Sequence, residues 1–379
     1  MSQPSPARPA VVVIGGGYAG INVARSLDDV ASVVLVEPKD AFVHNVAALR
    51  ALVDPSWLPR IYLPYGGLLS HGRIVVDRAV KVDAGRVVLA SGADLPADYL
   101  VLATGSSYPF PAKSDVDRTV DAHEKTLGTH AALAAAARVL LVGAGAVGIE
   151  LAGEIKAVWP SKQVTLMDVA DDVLGAPYRA DLKAELRRQL AGLGVQVLLG
   201  SPLQAAPPTE PGELRTFTVA TRAGTEVTAD LWFRCYGVTP VSDYLAGGLA
   251  GARRADGMIE VTDTLQVAGQ DRVFALGDVS TADRKVAGAA SRQAGVVVAN
   301  IKALIGGQGA ELSRYEPAPA GIVVPIGPEG GSGQRPGSED LLPAEVVAQV
   351  KGRDMMVERF AEMLGVPAAD PAGGTPPEG

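Results

Sequence analysis

Cysteine is almost absent from this sequence, since Cys235 is the one cysteine among 379 residues. Disulfide exchange needs two thiols, one that attacks and one that resolves the mixed disulfide. The sequence therefore excludes enzymes that relay electrons through a Cys-x-x-Cys pair. Cys235 lies in the apolar stretch of residues 231–236, where we expect it to be a small buried hydrophobic side chain.

An excess of positive charge is also missing. The chain has 34 Lys and Arg against 42 Asp and Glu, a net charge of −8, which gives no electrostatic argument for binding nucleic acid. Its four histidines and one cysteine show no metal-ligand spacing, so we predict no metal site. The single cysteine is compatible with a reducing, cytoplasmic setting, which is the location we expect.

Long apolar segments are scarce too. Residues 1–9 lack the apolar core of a signal peptide. Residues 131–149 are nearly uncharged, but Arg138 interrupts them and glycines stand at positions 143, 145 and 148. This pattern predicts a short helix, a buried strand and a turn, so we expect no membrane span.

Glycine, by contrast, occurs in two informative patterns. The first is Gly15-x-Gly17-x-x-Gly20, which follows the apolar residues 11–14 and precedes a predicted helix at 21–27. A strand, a glycine turn and a helix N-terminus in this order form a cradle for a dinucleotide pyrophosphate. A second predicted strand, residues 32–36, ends at Glu37, which is placed to bind a ribose diol. The intervening cradle residues are Gly16, Tyr18 and Ala19.

The second pattern is Gly143-x-Gly145-x-x-Gly148, between a predicted strand at 139–142 and a helix towards Val158. Its following strand, residues 163–167, ends at Asp168, and no arginine follows until Arg179. A carboxylate at this position favours a free ribose 2′-hydroxyl over a 2′-phosphate. We therefore predict NADH as the second dinucleotide, with NADPH as the alternative if Asp168 points to solvent.

Two further buried strands are predicted, at residues 99–106 and 272–279. With them the chain resembles the two-dinucleotide flavoproteins related to the disulfide reductases. The resemblance implies that FAD binds the first cradle and NAD(P)H the second. It also implies that the Ala103-Thr104-Gly105 turn leads between the domains, and that Gly277 and Asp278 meet the flavin ribitol and pyrophosphate.

A narrower resemblance rests on four segments, residues 39–50, 108–113, 148–156 and 351–354. They are similar to the apoptosis-inducing-factor-like flavoproteins of the ferroptosis-suppressor type, which are NAD(P)H:quinone reductases with FAD. The match spans nearly the whole chain. It is loose over residues 320–345, and Ser2 replaces the myristoylated glycine of the vertebrate members.

The resemblance implies a set of site residues. The candidate catalytic residues are Glu150, Lys113, His44 and Lys351, and the further FAD contacts are Lys39, Arg50 (to the pyrophosphate) and Val80. Each candidate also has a plain structural interpretation. Glu150 suits a helix dipole, Lys113 a solvated loop, His44 a satisfied buried position and Lys351 a helix end.

The sequence thus predicts an α/β chain with two Rossmann-like dinucleotide-binding domains, the second inserted in the first, and a small C-terminal α+β region. The predicted boundaries are 9–112 and 237–310 for the FAD domain, 113–236 for the NAD(P)H domain, 311–366 for the C-terminal domain and 367–379 for a disordered tail. We expect residues 73–82 and 86–90 to form an antiparallel meander. Residues 313–339 should be loop-dominated with a short strand at 322–324, and a helix should span 343–364 with a break at Gly352.

The predicted C-terminal helix has an apolar stripe of Met356, Phe360, Met363 and Leu364. Packing against the flavin domain is the favoured interpretation. Peripheral contact with a membrane surface, or a border of the quinone route, is the alternative. The trio Trp57, Tyr62 and Tyr65 is interpreted first as packing and second as a wall of the acceptor pocket.

The function that these features favour is transfer of hydride from NADH to FAD and of two electrons to a quinone. Two alternatives remain at this stage. One is a ferredoxin or rubredoxin reductase, and the other is a weakly catalytic NADH-sensing or scaffolding flavoprotein.

Overall fold

The computed structural model describes residues 8–307 and 311–366. The tail predicted to be disordered, 367–379, lies outside the described residues. Residues 8–112 form β1 Ala10–Ile14, α1 Tyr18–Leu27, β2 Ser32–Glu37, β3 Ala41–Val43, α2 Ala48–Val53, α3 Leu58–Ile61, β4 Tyr62–Pro64, β5 Arg73–Val76, β6 Ala79–Asp83, β7 Arg86–Leu89, β8 Asp94–Pro96, β9 Tyr99–Leu102 and β10 Ser106–Ser107. Residues 113–236 form α4 Thr119–Ala135, β11 Arg138–Val142, α5 Ala146–Val158, β12 Gln163–Met167, α6 Ala180–Gly192, β13 Gln196–Leu198, β14 Phe217–Ala220, β15 Glu226–Ala229 and β16 Leu231–Arg234. The rest forms β17 Thr239–Pro240, β18 Val273–Ala275, α7 Ala287–Gly306, β19 Ile322–Ile326, β20 Gly330–Gln334, β21 Leu341–Leu342, α8 Ala344–Val347 and α9 Val357–Leu364.

The first parallel sheet has the order β18-β9-β1-β2-β5. Its central strand β1 is apolar throughout and buried on both faces, as expected for a strand covered by other elements on both sides. One cover is formed by α1 and α7, whose side chains share a core with the sheet. Because β5 pairs in parallel with β2, the expected meander is wrong at its start. The antiparallel meander is β6-β7-β8.

The second parallel sheet has the order β13-β12-β11-β16, and its strands all fall between β9 and β18 of the first sheet. This confirms the predicted α/β class with one dinucleotide-binding unit inserted into the other. The chain crosses between the units twice. The two crossings pair as the short antiparallel ribbon β10–β17, which fixes the units side by side.

The C-terminal region is more ordered than the sequence indicated. Strands β19, β20 and β21 form an antiparallel sheet. The short strand expected at 322–324 is present as part of β19, whereas the loop expected around it is wrong for residues 325–326 and 330–334. Strand β20 reads Gly-Gly-Ser-Gly-Gln, a composition that normally disfavours a strand. Close packing explains it, because a Cβ added to Gly331 would come within 2.3 Å of the Val324 carbonyl oxygen.

The predicted long C-terminal helix is broken where expected. Helix α8 continues as a π-helical turn, Ala348–Gly352, and α9 starts only after Met355 and Met356, whose φ values are 52° and 60°. Phe360 packs its ring on Tyr18 and Phe42, with centroids 5.0 and 5.5 Å away.

The apolar face of α9 therefore lies in the core of the first domain, where Phe360 and Leu364 are buried. This burial agrees with the packing interpretation, while contact of the helix with a membrane surface stays a prediction. None of the described helices has the length and apolar character needed to cross a bilayer.

Candidate functional site

The first glycine cradle is built by contacts that only glycine permits. Gly15 has φ +104°, and a Cβ there would come within 2.4 Å of the Ala103 carbonyl oxygen. A Cβ on Gly20 would approach the Gly15 carbonyl oxygen to 1.8 Å, so this glycine lets α1 pack directly on the turn. A Cβ on Gly17 would meet nothing within 4 Å. Its backbone thus faces open space, as an approaching pyrophosphate requires.

Glu37, at the end of β2, is fixed beside this turn. One carboxylate oxygen accepts the Gly16 N–H at 2.6 Å, and the other accepts the Lys39 N–H at 3.1 Å. The Tyr65 hydroxyl donates to the Gly16 carbonyl at 2.9 Å, so this aromatic residue supports the cradle from below. The acid is therefore held at the rim, where a ribose would lie next to the turn.

A cavity of about 670 Å³ opens from this cradle, within the range of small-molecule sites. The predicted residues that line it are Gly15, Gly16, Gly17, Tyr18, Ala19, Glu37, Lys39, Ala103, Thr104, Gly105, Lys113, Glu150, Gly277, Asp278 and Lys351. Val80, a predicted FAD contact, does not line the cavity, and its side chain is half-exposed. Its neighbour Ala79 lines the cavity instead. A space of this size that starts at a glycine cradle fits FAD.

Asp278 anchors the polar side of the cavity. Its Oδ2 accepts the Ser106 hydroxyl at 2.6 Å and the Lys113 ammonium at 3.4 Å. Lys113 also donates to the Ser106 carbonyl at 2.7 Å. Burial lowers the pKa of Lys113, and the Asp278 carboxylate opposes that shift. Ser106 was not predicted from the sequence; its position next to the Ala-Thr-Gly turn was the available signal.

Glu150 and Lys351 meet at the cavity wall. Lys351 Nζ donates to Glu150 Oε1 at 2.8 Å, and the two side chains are 14% and 12% exposed. Burial raises the pKa of Glu150, and the ammonium of Lys351 limits that rise. The structure thus joins two candidates that are 201 residues apart, and it places a coupled acid and base on one surface of the cavity.

His44 is fully buried and does not line the cavity. Its Nε2 donates to the Met355 carbonyl at 2.7 Å, because a carbonyl only accepts. Nδ1 is then the acceptor for the Tyr18 hydroxyl at 3.1 Å. Both ring nitrogens of His44 therefore have hydrogen-bond partners within the protein. The predicted catalytic role of His44 is corrected to a structural one. The histidine fixes the left-handed turn at Met355 from the first domain.

This burial predicts a pH effect on stability. Burial lowers the pKa of His44 from 6.5 to about 4, while the charge of Lys351 lowers it further and that of Asp354 opposes the shift. The unfolded chain therefore binds the extra proton first, and the stabilising contribution is complete above pH 6.5 and is lost as pH falls towards 4. We expect a loss of about 2 kcal/mol by pH 5. Denaturant unfolding should show that the stability gap between the parent and His44→Gln narrows by this amount from pH 7.5 to 5; a constant gap would contradict the assignment.

Arg50 does not reach the first cradle. Its guanidinium binds both oxygens of Glu154, at 2.5 and 2.8 Å, and the Gly352 carbonyl at 2.8 Å. The predicted contact with the pyrophosphate is therefore wrong. The reason is that α2, which carries Arg50, packs against α5. This packing brings the guanidinium to the buried Glu154 carboxylate and away from the first cradle.

The second cradle repeats the geometry of the first. Gly143 has φ +113°, with the Cys235 carbonyl oxygen 2.6 Å from an added Cβ. A Cβ added to Gly148 would lie 2.0 Å from the Gly143 carbonyl oxygen, whereas a Cβ added to Gly145 would meet nothing within 4 Å. Asp168 Oδ2 accepts the Ala144 N–H at 2.6 Å, as Glu37 does for Gly16. These residues fit a second dinucleotide.

Cys235 is buried at the end of β16, and burial raises the pKa of its thiol to about 12. It stays protonated at neutral pH and is closed to solvent. The burial predicted from the sequence agrees with the structure, although the strand ends one residue earlier, at Arg234.

The comparisons with known proteins agree with this site. A family described as pyridine nucleotide-disulphide oxidoreductase matches residues 9–294. Ferroptosis suppressor protein 1 of Taeniopygia guttata is 31% identical over 366 residues, which cover 94% of this chain and 95% of that protein. The Homo sapiens protein of the same name is 31% identical over 362 residues, covering 92% and 93%.

Among solved structures, the sulfide:quinone oxidoreductase from Aquifex aeolicus superposes with a TM-score of 0.74, covering 94% of this chain and 91% of that chain. At 18% identity this likeness shows the shared fold. The fold, the two cradles and the sequence matches agree on the family of this chain. The chain belongs to the pyridine nucleotide-disulphide oxidoreductase family, together with the ferroptosis suppressor proteins, and is a flavoprotein NAD(P)H oxidoreductase that uses FAD and a nicotinamide dinucleotide.

Proposed function

We propose that the protein is an NADH:quinone oxidoreductase. Bound FAD would supply the chemistry, by accepting a hydride from the nicotinamide and passing two electrons to the quinone. The observation that carries the proposal is that one cavity is lined both by the first cradle and by the Glu150–Lys351 pair, which joins α5 to the C-terminal region.

The chain's own residues bind and orient on two sides of this cavity. Gly15–Gly20 and Glu37 would hold the adenosine diphosphate half of FAD, and Asp278, with Ser106 and Lys113, would hold the region towards the flavin. Glu150 and Lys351 keep a proton between Oε1 and Nζ at the wall. Reduction of a quinone to a quinol takes up two protons, so a wall that holds a proton suits this acceptor.

The acceptor must be external to the chain. Cys235 is buried and single, so no thiol pair relays electrons. The cavity also has an apolar part, which is lined by Val43, Val46, Leu49, Ala112 and Val147. A flat apolar two-electron acceptor matches that surface better than a charged one.

Acceptor assays test the proposal. Purified FAD-loaded protein should oxidise NADH with short-chain ubiquinone or menaquinone analogues, and a disulfide substrate should give no turnover. Turnover that requires an iron–sulfur protein would favour the ferredoxin-reductase alternative. Reduced flavin that persists in air and with quinone would favour the sensing or scaffolding alternative.

Asp168 predicts the choice of nicotinamide. Its carboxylate at the end of β12 would repel the 2′-phosphate of NADPH, so kcat/KM with NADH should exceed that with NADPH by about tenfold, or about 1.4 kcal/mol. Asp168→Asn should reduce the ratio, whereas Asp171→Asn, at an exposed position nearby, should leave it unchanged. Equal efficiency of the parent with both nucleotides would show that Asp168 does not contact the ribose.

A further inference from the structure

Four charged side chains, two buried and two partly buried, meet where the three parts of the fold join. Arg50 lies on α2 of the first domain, Glu150 and Glu154 lie on α5 of the second, and Lys351 lies on the π-helical turn of the C-terminal region. They form two ion pairs of net charge zero, Arg50–Glu154 and Glu150–Lys351. The Glu150–Lys351 pair lines the cavity, and the Arg50–Glu154 pair does not.

The Arg50–Glu154 pair is the more deeply buried, with side chains 7% and 2% exposed. Its two parallel N–H···O bonds hold the guanidinium in one plane. The third bond, from Nη2 to the Gly352 carbonyl at 2.8 Å, leaves α5 and reaches the C-terminal region. Arg50 therefore connects α2, α5 and the C-terminal region through its guanidinium group.

The spacing along each element connects Arg50 to the cavity. Glu150 and Glu154 are one turn apart on α5 and share a face. Lys351 and Gly352 are adjacent in the chain, so a bond that fixes the Gly352 carbonyl also fixes the backbone that carries Lys351. Arg50 thus holds both supports of the Glu150–Lys351 contact from a single point.

We propose that Arg50 is a positioning residue that sets the Glu150–Lys351 contact at the cavity wall. The inference rests on the proposed function, in which this wall borders the reacting groups. Stability alone does not require the charges, because a buried ion pair can often be replaced by apolar side chains of similar volume without loss. What apolar side chains cannot replace is the bond to the Gly352 carbonyl.

The test compares Arg50→Met/Glu154→Met with the parent as FAD-loaded protein. The double variant removes both charges at similar volume but also loses the buried hydrogen bond to the Gly352 carbonyl, so it should stay folded with a modestly lower melting temperature. Lys351, no longer held against Glu150, should react with an amine-modifying reagent about tenfold faster, the ratio that corresponds to about 1.4 kcal/mol. The flavin midpoint potential should also shift, because a charge at the cavity wall has moved.

Two further variants keep the result interpretable. Arg50→Lys keeps the positive charge but loses the planar fork, so it should fold and show an intermediate increase in Lys351 labelling. Arg60→Met is the matched control, since Arg60 stacks on the Trp57 ring at 4.1 Å and does not contact α5 in the described structure. It should leave labelling and potential unchanged.

Parental Lys351 labelling and potential in a folded double variant would overturn the proposal and leave the pair a purely stabilising role. Loss of the folded state in both Arg50 variants would overturn it as well. Failure of the proposed function is seen separately, as absence of quinone turnover in the parent protein, whereas the labelling result needs no acceptor.

Discussion

Replacing Gly148 by alanine is expected to abolish reduction of the bound flavin by NADH while the protein keeps its FAD. A Cβ at this position would lie 2.0 Å from the Gly143 carbonyl oxygen and 2.9 Å from Leu166. The carbonyl is backbone and cannot rotate away, so α5 must move from the turn. Because misplacement by about 1 Å can cost about 100-fold in rate, we expect at least that loss in the rapid-mixing rate of flavin reduction.

The matched control is Gly128→Ala. Gly128 lies inside α4, where an added Cβ would meet nothing within 4 Å, so the protein should fold and react as the parent does. Dithionite should still reduce the flavin of Gly148→Ala, which separates a damaged second cradle from a damaged flavin. An unchanged rate with NADH would show that the second cradle does not hold the nicotinamide nucleotide.

The second large effect is expected at Asp278. Asp278→Ala removes the acceptor of the Ser106 hydroxyl and leaves Lys113 without its carboxylate in the cavity. Hydrogen bonds to a charged group are worth about 1.5–3 kcal/mol, so the dissociation constant of FAD should rise by about 10- to 100-fold. Fluorescence titration of flavin-free protein with FAD measures this constant.

Asp243→Ala is the control for that experiment. Asp243 is 86% exposed at its side chain, pairs with Arg253 and does not line the cavity. Its replacement should leave FAD affinity unchanged. Parental affinity in Asp278→Ala would show that the Gly277-Asp278 turn does not take part in binding the cofactor.

The parts of the site that the sequence predicted are those that local geometry determines. Gly15, Gly20, Gly143 and Gly148 are each required by atoms within a turn and its neighbouring strand, and a strand that ends in an acid has a short-range signal too. Glu37 and Asp168 both accept an N–H of the glycine turn beside them. Each glycine pattern, with the acid at the end of the following strand, can be recognised from a short stretch of sequence, so both cradles could be predicted.

The contacts that the sequence did not predict are long-range. The Arg50 side chain binds residues 104 and 302 positions away, and no periodicity near Arg50 indicates either partner. The same holds for His44, whose acceptor Met355 is 311 residues distant. Strand β20 was missed for another reason. Its glycines are needed because the backbone of β19 lies too close for a Cβ, and the sequence of β20 alone does not show that contact.

The resemblance brought Glu150, Lys113 and Lys351 together as candidates, and the structure places all three on the cavity. It also suggested Arg50 and His44, which the fold uses for other contacts. A motif indicates that a residue type is needed; the partner that it meets depends on how distant segments pack.

Steady-state oxidation of NADH by the FAD-loaded protein, with and without a short-chain quinone, tests directly whether the protein is an NADH:quinone oxidoreductase. We expect turnover that depends on the quinone and is unchanged in Cys235→Ala, because that buried thiol carries no electrons. Flavin that NADH reduces but that no quinone in the panel reoxidises would contradict the proposed function.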